Sequence, residues 1–127
     1  MYPYLLVAVG GALGSVARYG AGVLVGKAWD STFPLATLLI NIAGSLAMGL
    51  FIGFLARTTP AWQADARLFV AVGMLGGFTT LSSFSLDTVT LIERGDVGPA
   101  ALYVALTIAV SIAALFAGLV VMRAGAA

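Results

Sequence analysis

Gly73-Met74-Leu75-Gly76-Gly77-Phe78-Thr79-Thr80-Leu81-Ser82-Ser83-Phe84-Ser85 is the stretch on which the fold turns. It sits inside an apolar run long enough to cross a bilayer, yet it gathers glycines and hydroxyls where a lipid-facing helix would carry aliphatic side chains. A glycine weakens a helix by about 1 kcal/mol relative to alanine, and nearby hydroxyls can take over the backbone hydrogen bonds that are released. Irregular backbone at membrane depth is tolerated only where protein or water covers it. The stretch therefore predicts a third transmembrane span broken at its centre, with the break enclosed by the protein.

The rest of the chain is built for lipid. Of its 127 residues 61% are hydrophobic and 9% charged, against about 45–50% and about 25% in a soluble domain. A span needs about 20 apolar residues, and four spans at roughly 4–25, 35–56, 67–92 and 99–122 use up the chain as one transmembrane domain. The expected fold class is all-α integral membrane, with four transmembrane helices. The first connection runs from Gly26 to Pro34 and carries Trp29, a residue suited to the bilayer interface. The second, from Arg57 to Asp65, holds Pro60 and Trp62, and the third is the charged turn from Glu93 to Pro99. Met1-Tyr2-Pro3-Tyr4 lacks the basic segment of a cleavable signal peptide, so the first apolar run reads as a permanent span.

Several functions are excluded at this level. Cysteine and histidine are absent, which removes disulfides, thiolate chemistry and imidazole metal sites. A net charge of +1 provides no polybasic surface for nucleic acid. No nucleophile, base and oxyanion donors come together, so the chain is not read as an enzyme. The glycine pairs lack the Walker lysine and lie within a span, so they form no nucleotide loop.

With the N-terminus inside, Arg57, Arg67 and Arg123 fall on the cytoplasmic side, and Lys27, Arg94 and Arg18 fall toward the other. The count is balanced. Opposite copies of such a chain can pair about a two-fold axis in the membrane plane, but balance also arises by chance, and charge alone leaves the two alternatives level. Glycines four apart, at Gly10 and Gly14, Gly22 and Gly26, Gly49 and Gly53, and Gly73 and Gly77, suit close helix crossings. They carry little weight as a sign of dimerisation, because glycine is common in membrane helices.

Polar side chains inside a span are costly and mark function. Arg18 either snorkels to the interface or presents a fixed charge to an anion. Asn41 lies in the middle of the second span with Thr37 one turn before it, and it serves either as an ion ligand or as a helix-to-helix hydrogen bond. Tyr103, Thr107 and Ser111 recur every fourth residue of the last span, so their hydroxyls form one stripe. That stripe is either a track of donors for an anion shedding water, or a set of hydroxyls bonded back to their own helix. Phe84 can turn a positive ring edge toward an anion or simply pack. Asp87 is the sole carboxylate well inside a span; the first, second and fourth spans have none, which argues against a proton-coupled exporter.

The residues Gly76-Gly77-Phe78-Thr79-Thr80-Leu81-Ser82-Ser83-Phe84-Ser85 resemble the signature of the Fluc (CrcB) fluoride channel family, whose usual pattern there is GGLTTFSTFS. Gly11-Ala12-Leu13-Gly14-Ser15-Val16-Ala17-Arg18-Tyr19 resembles the family's first-helix motif. Pro34-Leu35-Ala36-Thr37-Leu38-Leu39-Ile40-Asn41-Ile42-Ala43-Gly44 resembles its second-helix motif. Three motifs in order and at the right spacing span the chain.

The resemblance implies a dual-topology antiparallel homodimer with two pores that passes fluoride passively and selectively. It implies multi-pass insertion in the cell inner or plasma membrane, export of cytoplasmic fluoride, and so protection against fluoride toxicity. It also implies a structural Na+ at the dimer centre, held by main-chain carbonyls that fall by motif position on Gly76 and Thr79. The family's pore asparagine maps to Asn41, its pore threonine to Thr37, its hydroxyl track to Tyr103, Thr107 and Ser111, and its vestibule arginine to Arg18. The family usually carries two phenylalanines in the third span; Phe84 retains the second and Leu81 stands in place of the first. Leucine has no positive ring edge, so the two-ring arrangement does not carry over intact. Two other functions suit so small and balanced a chain: a dual-topology multidrug exporter, disfavoured by the missing first-helix carboxylate, and a non-transporting assembly subunit whose polar stripes join helices.

Overall fold

The computed structural model describes residues 1–124. Helix α1 covers Tyr2–Ala28 and α2 covers Leu35–Thr58. A third helical region starts with α3 at Gln63–Ala66, continues as a π-helix over Arg67–Leu75 and a single turn α4 at Gly76–Phe78, and resumes as α5 at Leu81–Glu93. Helix α6 covers Val97–Ala124. Four of these stretches are long and apolar enough to cross a membrane: α1, α2, the region Gln63–Glu93 and α6. The protein is an all-helical, multi-pass membrane protein.

Local chemistry sets the ends. Pro3 occupies the first turn of α1, where a missing N–H costs nothing. Helix α2 stops at Thr59, which adopts a left-handed conformation with φ 41°, and Pro60 follows, unable to extend the helix. Phe54 then stacks on Trp62 across this corner, with ring centroids 6.4 Å apart. Helix α5 ends in a Schellman arrangement: Gly95 sits at φ 87°, its N–H donates to Ile92 O at 3.0 Å, and Asp96 N–H donates to Leu91 O at 2.8 Å. Only glycine takes that left-handed position without a Cβ penalty.

The spans pair in parallel, α2 with α6 and α1 with the π-helix and α4. Glycine makes both seams. A Cβ on Gly14 would collide with the Met74 carbonyl, and one on Gly77 would lie 2.7 Å from the Gly11 oxygen. At the other seam a Cβ on Gly49 would strike the Leu115 carbonyl, and one on Gly118 would lie 2.6 Å from the Leu50 nitrogen. Backbones this close gain van der Waals contact that lipid tails cannot match, and this drives helix association in a bilayer. Of the glycine pairs noted in the sequence, three lie in these intramolecular seams; Gly22 and Gly26 face open space.

Among the described residues few side chains are buried, with Leu55 and Tyr103 fully so. Leu38, Leu91, Ala100 and Tyr103 form one cluster, flanked by Phe33, Phe84 and Leu106. The many exposed leucines, valines and isoleucines suit a solvent of acyl chains. The apolar pattern of Arg67–Leu75 does not distinguish a π-helix from an α-helix. Its wider turns bond i to i+5 and are rare, occurring frequently at functional sites; here they run directly into the Gly76–Phe78 turn.

Candidate functional site

Between Phe78 and Leu81 the third span is not helical. Thr79 (φ −81°, ψ 154°) and Thr80 (φ −149°, ψ 122°) are extended. Such a segment leaves main-chain groups without helical partners, and in a membrane each must be satisfied inside the protein. Side chains from α1 and α2 do this for Gly77 O and for both main-chain groups of Thr80.

Asn41 on α2 is buried, and its carboxamide pairs with both main-chain groups of Thr80. Nδ2 donates to Thr80 O at 3.1 Å, and Oδ1 accepts from Thr80 N–H at 2.9 Å. Because a main-chain N–H only donates and a carbonyl only accepts, these partners fix which end of the amide is which. Gly44, on the same helix face, forms a notch beside it, where a Cβ would run into Thr79 Cγ2 and the Phe78 ring. From α1, Arg18 Nε donates to Gly77 O at 3.1 Å. It places a positive charge at the C-terminal end of the first half of the span, where the helix dipole is negative.

The threonines complete the arrangement. Thr80 Oγ1 accepts Ser83 N–H at 3.2 Å and caps α5, the usual role of a hydroxyl at that position. Thr79 donates through both N–H and Oγ1 to Leu75 O, at 3.0 and 2.8 Å. In an unbroken helix the Gly76 carbonyl would accept from Thr80 N–H, and the Thr79 carbonyl from Ser83 N–H. Both of those donors are bound elsewhere, to Asn41 and to the Thr80 hydroxyl.

A groove of about 490 Å³ runs along α2, the interruption and α6. Asn41, Gly76, Thr79, Leu81, Phe84, Thr107 and Ser111 all border it. Leu81 is 75% exposed there, so within one chain it faces outward. A second groove of about 310 Å³ contains Arg18, Thr37 and Ser83, and Thr80 borders both grooves. The residues singled out in the sequence thus fall on two sides of the interruption.

Tyr103 lines neither groove. It is fully buried, its hydroxyl donates to Asp87 Oδ2 at 3.0 Å, and Thr37 lies beside it. Its ring meets Phe33 edge-on at 5.7 Å and Phe84 at 5.2 Å. Phe84 is thereby held on the wall of the larger groove by an aromatic neighbour, a geometry that favours offset and edge contacts. Asp87 acts here as the acceptor that fixes the Tyr103 phenol.

The last two hydroxyls of the α6 stripe behave differently. Thr107 Oγ1 and Ser111 Oγ are buried and have no hydrogen-bond partner, although both residues border the larger groove. Elsewhere in the protein threonines use the local alternative: Thr58, Thr79 and Thr88 each donate to the carbonyl four residues back, at 2.8 Å. A buried hydroxyl without a partner costs about 1–3 kcal/mol. Two such hydroxyls, spaced one turn apart, belong to residues that border the larger groove.

Sequence reading passed over Thr80 and Ser83 as individuals, and Ser45 and Met48 altogether, although the last two border the larger groove. The signal for Thr80 was available, since a threonine just before a restarting helix is an N-cap candidate. No sequence signal separates Ser45 and Met48 from ordinary span residues.

Comparison with known proteins covers nearly the whole chain. The family model described as "CrcB-like protein, Camphor Resistance (CrcB)" matches residues 5–119. A "Fluoride-specific ion channel FluC 2" of Nitrobacter hamburgensis is 48% identical over 120 residues, 94% of this chain and 96% of that protein. Proteins called "Fluoride-specific ion channel FluC" in Agrobacterium fabrum and Paracoccus denitrificans are each 51% identical, over 118 and 122 residues. These alignments cover 93% and 96% of this chain, and 94% and 95% of the relatives. With a family model matched across all four spans and relatives at about half identity over nearly their full length, the chain belongs to the CrcB family.

Proposed function

We propose that this chain is a passive, fluoride-selective channel that lets cytoplasmic fluoride leave down its electrochemical gradient; it is a conduit and not an enzyme. The observation that carries the reading is the pair of buried, unpartnered hydroxyls of Thr107 and Ser111 on the groove beside Asn41 and Phe84. Fluoride is small and strongly hydrated, so a pore must replace its water with donors and still release it. Hydroxyls offer donor hydrogens without a fixed deep charge that would trap the ion. The names of the relatives, all fluoride-specific channels, point the same way.

In this reading fluoride meets Arg18 and Thr37 on one side of the interruption and passes Asn41, Phe84, Thr107 and Ser111 on the other. Tyr103 is anchored by Asp87 and supports the Phe84 ring. Leu81, which lacks a ring edge, contributes an apolar wall. HF crosses lipid as a neutral acid and ionises at cytoplasmic pH, leaving fluoride trapped inside. A passive path then suffices for export, because the membrane potential drives the anion out and so protects the cell.

The working unit is an antiparallel homodimer with two pores in the cell inner or plasma membrane. The outward-facing Leu81 and Gly76, the open groove at membrane depth and the balanced loop charges all support a second copy as the cover. A structural Na+ would be held by the carbonyls of Gly76 and Thr79, whose helical donors are bound elsewhere, since a hard cation prefers oxygen ligands; it would supply a fixed positive charge at the interruption.

The test is efflux from liposomes holding the purified protein, with a potassium ionophore clamping the voltage and chloride as control. Fast fluoride release with little chloride release is expected. No fluoride release from folded protein overturns the reading.

A further inference from the structure

The Asn41 carboxamide is engaged, and what engages it is backbone. Its oxygen takes the Thr80 N–H and its nitrogen donates to the Thr80 carbonyl, as a neighbouring strand would across an antiparallel pair. The Gly44 notch one turn later admits Thr79 and Phe78 against the same face of α2. We propose that Asn41 is a positioning residue: it holds Thr80 extended and so keeps the third span interrupted, and the channel depends on it through that segment more than through its own contact with the ion.

The geometry supports this role. Asn41 is 9% exposed, so its amide is shielded from solvents that would compete for Thr80. The bond it makes to Thr80 N–H removes the donor that would otherwise close the helix onto Gly76. The hydroxyl cap from Thr80 to Ser83 needs Thr80 in its extended conformation, so α5 starts where it does because Asn41 holds the residue before it. Arg18, bonded to Gly77 O, tethers the other edge of the interruption from α1. Among the described residues the buried side-chain donors without a partner are Thr107 and Ser111, both bordering the groove, and direct contact with the anion falls to hydroxyls such as these.

This inference rests on the channel reading only for its last clause; the hold on Thr80 is testable without flux. Hydrogen exchange of the Thr80 and Ser83 amides is measured by NMR on the full chain in nanodiscs, without and with saturating sodium fluoride. Asn41→Ala removes both hydrogen bonds to Thr80, and loss of the one on its N–H is expected to speed Thr80 exchange by up to about tenfold; fluoride is expected to leave the wild-type rate unchanged. Asn41→Asp, whose carboxylate accepts from Thr80 N–H but cannot donate to Thr80 O, is expected to keep Thr80 protected. If Asn41→Ala does not fold, the Asn41→Asp exchange rate and the fluoride independence of the wild type decide alone. Unaltered Thr80 exchange in Asn41→Ala, unprotected Thr80 in Asn41→Asp, or wild-type protection that appears only with fluoride would each overturn the proposal. A wild type that protects Thr80 but conducts no fluoride leaves the hold intact and rejects the channel reading instead.

Discussion

A hydroxyl inside a membrane helix has a default partner in the carbonyl four residues back, and Thr58, Thr79 and Thr88 take it. Thr107 and Ser111 do not, and the proposed role of the α6 stripe rests on that departure. Replacing Thr107 by valine keeps its shape and removes the unsatisfied group, so Thr107→Val is expected to raise stability by about 1 kcal/mol. Fluoride efflux should fall in the same variant; thermal unfolding in detergent and liposome efflux together check both halves. A drop in stability with unchanged flux would make Thr107 an ordinary packing residue. Phe84 and Leu81 divide similarly. Phe84 rests on Tyr103 whereas Leu81 is mostly exposed, so Phe84→Ile should slow efflux by about tenfold, the worth of an aromatic contact. Leu81→Ala should slow it less. The spacing of Tyr103, Thr107 and Ser111 was legible in the sequence because a helix repeats on a fixed period. That Tyr103 donates to Asp87 was not, because those two residues meet only when α5 folds back against α6.

At the scale of elements, the third span carries the most information. Its central glycines and hydroxyls marked it as irregular from composition alone, and the extended residues are Thr79 and Thr80. The π-helix before them had no such mark. Arg67–Leu75 reads like any apolar helix, and its wide turns occur where its backbone lies against α1 at Gly10 and Gly14. Gly14→Ala should therefore destabilise the protein by about 1–3 kcal/mol through overpacking, whereas Gly22→Ala, in open space, should be neutral or slightly stabilising. Unfolding of the two variants in matched detergent measures the difference. Equal effects would mean the α1 seam is looser than the geometry implies.

For the molecule as a whole, one chain leaves its polar interruption and its groove facing outward at membrane depth, a costly position in lipid. A second copy and a sodium ion at the freed carbonyls would resolve this together. Exchanging sodium for a large organic cation is then expected to weaken the dimer and to lower efflux, as followed by subunit exchange between labelled copies and by liposome assay. If neither changes, Gly76 and Thr79 hold no ion.

The sequence by itself determined the number of spans, the membrane setting and the class of residues available for chemistry, since each follows from composition and from periodicity along a single helix. It also located the irregular stretch, because glycine and hydroxyl residues disfavour a lipid-facing helix wherever they occur. Only the tertiary structure decided what those residues do. Asn41 holds Thr80, Arg18 caps Gly77, and Thr107 and Ser111 stay unpaired, because hydrogen bonding depends on which groups from distant segments come within about 3 Å of one another. That proximity is created by the glycine seams, which press α1 onto the π-helix and α2 onto α6. A one-dimensional pattern identifies the donors; packing decides which are left without a partner.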